Sequence, residues 1–227
     1  MVLRRPEIIY SNQESVILKN GKLKLPQTKQ TLNIGKIAHL GKLKQVRVIP
    51  NHQLFVVEIV LEIPKQEISH VPNNERYLSI DLGVNNLATM LTNTGEKPIL
   101  IKGNVLKSIN QYYNKMKAHY YSILRHGKNT NQGTFTSKRL ERLHLKRWNK
   151  IKDYFHKVSY HITQYAKTHN ICEVIIGQNT SWKQELNLGK RNNQSFCHIP
   201  HSLLIQILKY KLFQEGIKLT EIGRAHV

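Results

Sequence analysis

The run Tyr77 to Leu91, YLSIDLGVNNLATML, leaves the chain few folds to choose from. Leu78 to Leu82 is rich in strand formers, breaks at Gly83 into Asn85-Asn86, and resumes as a second strand-like run from Leu87 to Leu91. One carboxylate, Asp81, sits inside the first strand. Desolvating a carboxylate is costly unless it is paired or bound to a cation, so Asp81 in a buried strand invites a metal reading. The same side chain can instead cap the turn that begins at Gly83, with no ligand at all.

Ahead of this run, residues 1 to about 72 read as a β-rich module. Val16-Ile17-Leu18 and Leu23-Lys24-Leu25 flank Asn20-Gly21, the pair that best supplies the two positive φ angles of a tight hairpin. Gln45 to Ile49 and Leu54 to Ile63 continue as strands, Gly35 and Gly41 mark turns, and Pro26, Pro50 and Pro64 mark boundaries. Short strands punctuated in this way predict a small β-barrel. Lys22, Lys24, Lys42 and Lys44 alternate with apolar residues, which puts the cations on one strand face, able to grip phosphates or simply to be solvated.

Beyond Leu91, Ile99 to Lys102 completes a three-stranded meander, with Asn93 to Gly95 at the second turn. Two helical patterns follow. Val105, Ile109, Tyr112, Met116, Tyr120 and Ile123 recur at intervals of three and four. After a break over Gly127 to Gly133 come Leu140, Leu143, Trp148, Ile151, Phe155, Val158, Ile162 and Tyr165. This predicts an antiparallel helical hairpin over 104–169 with those residues as its core, leaving Tyr113 and Tyr121 as candidates for base stacking. Ile171 to Ile176 reads as a fourth strand, a helix opens at Pro200 and ends at Gly216, and Ile217 to Thr220 reads as a fifth strand with Glu221 at its end. His198 and His201 straddle Pro200, but with no third ligand nearby they make a poor metal pair.

Charge narrows the function. Against 35 lysines and arginines stand 14 aspartates and glutamates, a net +21 that calls for a polyanionic partner. From Asn104 to His169 there are 14 basic and 2 acidic residues, so the hairpin alone carries +12. Solvated faces ordinarily mix both signs, and so lopsided a pair repels itself unless an anion sits against it. The candidate contacts on its second helix are Lys138, Arg139, Arg142, Lys146, Arg147 and Lys150. No apolar segment reaches membrane-spanning length and no lipidation motif is visible, so no membrane partner is expected. The two cysteines, Cys172 and Cys197, form neither a disulfide framework nor a zinc site, and no signal peptide precedes the module, which predicts a cytoplasmic protein.

The pattern of strand, Asp81, Gly83, hairpin turn and strand resembles the first motif of the ribonuclease-H-like nuclease core. More narrowly, it resembles the RuvC-like domain of the OrfB/TnpB-type proteins of bacterial insertion sequences, which are RNA-guided DNA nucleases. VIIGQNTSWKQELNLGKRNNQSFCHIP matches the version of that family in which Gly177 stands where the second catalytic acid would be. The resemblance covers about 150 residues in order. It implies an α+β or α/β fold: a partial, wedge-like barrel over 1–72, then a RuvC-like mixed sheet over 73–221 with the basic hairpin inserted. It further implies guide RNA and DNA as partners, no small-molecule substrate, and Mg²⁺ or Mn²⁺ as cofactor, with zinc only in a C-terminal region this chain lacks. Asp81 would be the first metal ligand and catalytic acid, and the loop residues Trp182, Lys183, Lys190 and Arg191 would approach nucleic acid.

Two-metal hydrolysis needs carboxylates converging from distant strands. With Gly177 unable to coordinate through a side chain, Glu221 becomes the candidate for the displaced second acid. In a sheet ordered 3-2-1-4-5 it lies two strands, about 9–10 Å, from Asp81. Glu173 is a weaker alternative and a third acid has no candidate, so the chain is expected to be a fragment that does not cleave DNA by itself even if its parent does. The alternative is a non-catalytic nucleic-acid-binding protein, such as an RNA-guided repressor or a basic ribosomal or RNA-binding module. Residues 222–227, IGRAHV, have no counterpart in the family, and one codon choice for them spells a sequencing adapter, so they are expected to be a non-native tail.

Overall fold

The computed structural model describes residues 7–11, 13–18, 21–35, 37, 41–51, 54–62, 74–177 and 199–223. The chain divides into two compact units, Met1–Glu67 and Ile68–Val227.

The first unit contains β1 (Ile8–Ser11), β2 (Val16–Ile17), β3 (Lys22–Lys24), β4 (Thr31–Asn33), β5 (Lys42–Asn51) and β6 (Leu54–Glu62). In place of one closed barrel, the described strands form two antiparallel three-stranded sheets, ordered β1-β5-β6 and β2-β3-β4. The sheets share a small core of Leu23, Leu43 and Val46, with Tyr10, Ile17 and Ile59 packed against it. Gly21 (φ +72°) turns the β2–β3 hairpin in a backbone region that favours glycine. Leu43 and Val46 are three residues apart, an odd spacing that simple alternation would send to opposite faces. A bulge at Lys44 brings both inward and pushes the lysine out, where it pairs with Glu62 at 2.8 Å.

The second unit contains β7 (Tyr77–Leu82), β8 (Asn86–Thr92), β9 (Ile99–Lys102), α1 (Asn104–Leu124), α2 (Lys138–Thr168), β10 (Glu173–Gly177), α3 (His201–Gln214) and β11 (Lys218–Ile222). Its sheet runs β11-β10-β7-β8-β9, which is 3-2-1-4-5 in the unit's own strand numbering read from the β9 edge. β7, β10 and β11 are parallel, while β8 is antiparallel to both its neighbours. Leu78, Ile80 and Leu82 of β7 and Val174 and Ile176 of β10 alternate onto one face. There they meet Phe155, Val158 and Ile162 of α2 and Leu204, Leu208 and Leu212 of α3 in a single core. β11 includes Ile222, the first residue of the expected non-native tail, whose Cα pairs with Gly177. Among the described residues no helix is long and apolar enough to cross a membrane.

The helical hairpin forms over the expected span, but the buried stripe of α1 is shifted by one residue. Leu106, Asn110 and Tyr113 are buried, whereas Val105, Tyr112 and Ile123 of the expected core are exposed. Polar partners on α2 decide the phase: Arg147 Nε donates to Asn110 Oδ1 at 2.7 Å and the Tyr113 hydroxyl bonds His144 Nδ1 at 2.8 Å. Trp148 is likewise exposed, while the other α2 residues of the expected pattern are buried or half-buried. Ser137 caps α2 through a bond from the Leu140 amide, with Glu141 in the first turn and Lys167 in the last, where each charge suits the helix dipole.

Between α2 and α3, His156 is held below the ordinary histidine range, first by burial and then by the charges of Lys211 and Lys152, against which Asp153 acts weakly. Its folded form therefore takes up a proton at lower pH than the unfolded chain does. Stability from the neutral ring is present above the unfolded value near 6.5 and is lost as pH falls toward the depressed folded value. Urea midpoints are expected to drop between pH 7.5 and 5.5, and to drop less in His156→Gln; identical pH profiles for the two proteins would contradict this.

Candidate carboxylate site and nucleic-acid interface

Alternation along β7 sends Asp81 to the face opposite Leu78, Ile80 and Leu82, and the side chain is exposed. The expectation of a buried acid is thus corrected: the strand is buried on one face only, and Asp81 keeps access to water. It stands at the tip of the central strand, one residue beyond the Ile80–Ile176 pair and so abreast of Gly177.

The turn after it is clamped from two helices. On one side the Gly103 amide, at the start of α1, donates to Asn85 O at 2.7 Å, and Lys107 Nζ bonds the Asn85 side chain. A Cβ at Gly103 would run into the Val84 carbonyl, so only glycine lets helix and turn approach this closely. On the other side the buried His201, first residue of α3, donates from Nε2 to Gly83 O at 3.1 Å. A carbonyl only accepts, so that nitrogen carries the proton. With Nε2 engaged at the turn, His201 has a structural task that the sequence alone did not suggest.

Glu221 does not join Asp81. Its Cα pairs with Ile176, which puts its side chain on the helix-covered face, 3.4 Å from Lys209 of α3. The strand count across the sheet is right and the face is wrong. Glu173 shares the face of Asp81 but pairs with Tyr77, four residues and roughly 13 Å before the tip. Its carboxylate is engaged by Lys218 at 2.8 Å and by Thr220, and the Lys218 bond chiefly holds it below the usual carboxylate range. Among the described residues no three His, Cys, Asp or Glu side chains are grouped to hold a metal ion. These residues therefore do not fit a two-metal centre. His198, Trp182, Lys183, Lys190 and Arg191 lie outside the described residues.

The cations gather on the hairpin. The last half of α2 packs into the sheet core, whereas Leu140 and Leu143 of its first half lie outside that core, where α2 is bonded to α1. Lys138, Arg142, Lys146 and Lys150 are all exposed and recur every four residues, a stripe about 18 Å long, the axial rise of about five base pairs. Arg139 is exposed beside it. Arg147 is not part of this free surface: half-buried, it bonds Asn110 and its guanidinium lies 4.9 Å from the Tyr113 ring centre. Burial lowers the Arg147 pKa and raises that of Tyr113. Tyr113 is thus interior to the hairpin rather than a stacking platform. In the first unit Lys22, Lys24, Lys42 and Lys44 are all exposed.

A mixed sheet covered by helices on one face, with an exposed acid at its central tip and a basic helical arm beside it, defines a mixed α/β protein. The chain belongs to the OrfB_IS605 family, described as probable transposase, whose family model matches residues 58–183, more than half of the 227. Two solved structures share its fold. One, described as the Cas12f1-sgRNA-target DNA complex, is 12% identical over 96% of this chain and 49% of that chain, with a TM-score of 0.61. The other, a CRISPR-Cas12f ternary complex, is 15% identical over 82% of this chain and 36% of that one, with a TM-score of 0.55. The chain therefore spans between about a third and a half of the solved chains it matches. No curated protein matches it.

Proposed function

We propose that this chain is the nucleic-acid-gripping part of a transposon-encoded RNA-guided system, holding guide RNA and DNA, and that it does not hydrolyse DNA by itself. The lysine and arginine stripe on α2 carries this reading. Family membership and the fold shared with structures solved as complexes with guide RNA and target DNA support it. The N-terminal unit, with exposed Lys22, Lys24, Lys42 and Lys44, would serve as a second grip, in the manner of a wedge domain. The second unit corresponds to the ribonuclease-H-like core, with Asp81 at the place of the first acid. Divalent Mg²⁺ or Mn²⁺ would belong to nuclease chemistry, which requires acids that the described residues do not bring to Asp81. No hydrolytic step is therefore assigned to this chain.

The test pairs binding with cleavage. An RNA–DNA heteroduplex is expected to bind with an affinity that falls steeply with salt, because bound phosphates release counterions. DNA is expected to remain intact with Mg²⁺ or Mn²⁺ present. Binding insensitive to salt would remove the reading, and metal-dependent cutting that disappears in Asp81→Ala would restore a nuclease to this chain.

A further inference from the structure

The shifted phase of α1 has a second effect: it turns Tyr112 outward, 55% exposed, onto a cleft of about 220 Å³ between α1 and α2. That volume lies below the ~300 Å³ at which drug-sized sites begin, leaving room for one small planar group. Ile109 and Leu143 give it apolar walls, Tyr113 lies beneath, and Lys146 and Lys150 stand at the rim, with no carboxylate among its lining residues. The bonds from Arg147 to Asn110 and from Tyr113 to His144 brace the two helices, so the cleft exists before any ligand arrives. A fitting ligand is flat and uncharged where it enters and anionic where it leaves.

Resting on the interface reading above, we propose that this cleft takes one unpaired nucleobase of a single strand, stacked on Tyr112, with the flanking phosphates on Lys146 and Lys150. Paired bases are stacked inside a duplex and cannot enter without being extruded, so the site selects single-stranded stretches. Aromatic platforms of this kind accept any base, because every base offers a π-face. The neighbouring Arg142 and Lys138 continue the cationic track, which favours a polymer over a free nucleotide.

The test uses the full chain with 2-aminopurine-labelled single strands of RNA and of DNA, a matched duplex, and AMP. Wild-type protein is expected to quench the fluorescence of bound single strands. Tyr112→Ala is expected to abolish the quench and to weaken single-strand binding about 5- to 150-fold, with duplex affinity unchanged. Tyr112→Phe should keep both. Tyr112 is exposed, so the alanine variant is expected to fold, and an unchanged circular dichroism spectrum checks this. Equal losses for single strand and duplex, no loss for either, or AMP competing as well as the oligomer would overturn the proposal while leaving the arm as a phosphate grip. Failure of the wild-type chain to bind any polymer would remove the interface reading and this site with it.

Discussion

Replacing Lys138, Arg142, Lys146 and Lys150 together with glutamine is expected to weaken binding to an RNA–DNA heteroduplex by about 10³-fold at 0.1 M salt and to flatten the logarithmic salt dependence by about 3–4 units. Each lysine or arginine that neutralises a phosphate releases counterions, and the release is worth most of a decade in affinity at that salt. The same variant should be more stable than the natural chain, by about 1 kcal/mol. Its three like-charge pairs at spacing four each disfavour the helix by roughly 0.2–0.5 kcal/mol, and glutamine forms helix well. Opposite signs in binding and stability separate a surface kept for an anion from one kept for folding. Filter binding across 50–300 mM salt and urea denaturation read the two. A stripe that merely keeps the protein soluble would leave the salt slope unchanged.

Phe155→Ala is expected to give the largest loss of stability in the second unit, about 3–5 kcal/mol, because a large ring is removed from a fully enclosed position. Phe155 lies where α2, α3 and the sheet share one core, so the backbone on three sides cannot collapse into the space. For a unit of this size that corresponds to a fall in melting temperature of roughly 8–16 °C. The partly exposed Trp148, placed in the core by helical spacing alone, provides the contrast: with 38% of its surface still in water, Trp148→Ala should cost clearly less than Phe155→Ala. Differential scanning calorimetry of both variants checks the ordering, and equal losses would show that Trp148 is covered.

Much of the second unit was legible in the sequence. The meander around Gly83 and Gly95, the two helices parted by the Gly127 to Gly133 break, and the helix between Pro200 and Gly216 all form where local signals put them. Turn chemistry and hydrophobic period act within a few residues, so a sequence displays them directly. The orientation of Asp81 was also readable, since Leu78, Ile80 and Leu82 alternate with it. Taking the whole strand as buried on both faces hid that signal. In α1 the outcome was not readable from apolarity: the stripe through Tyr112 is greasier than the one through Asn110, yet Asn110 is inside because Arg147 waits for it on α2. The bulge at Lys44 belongs to the same kind, showing only as an odd spacing between two core residues.

By itself the amino-acid order determined the elements of the second unit and their succession, the acid at the end of the first strand of the meander, and the concentration of positive charge on one hairpin, while β1 and β4 of the first unit were not announced by it. Only the tertiary structure decided which residues face one another. Register between β10 and β11 set Glu221 on the helix side, away from Asp81, and helix-to-helix bonding turned Tyr112 out and Tyr113 in. The reason is that side-chain direction depends on pairing with segments dozens of residues away. One residue of register in a strand reverses the face of every side chain in it.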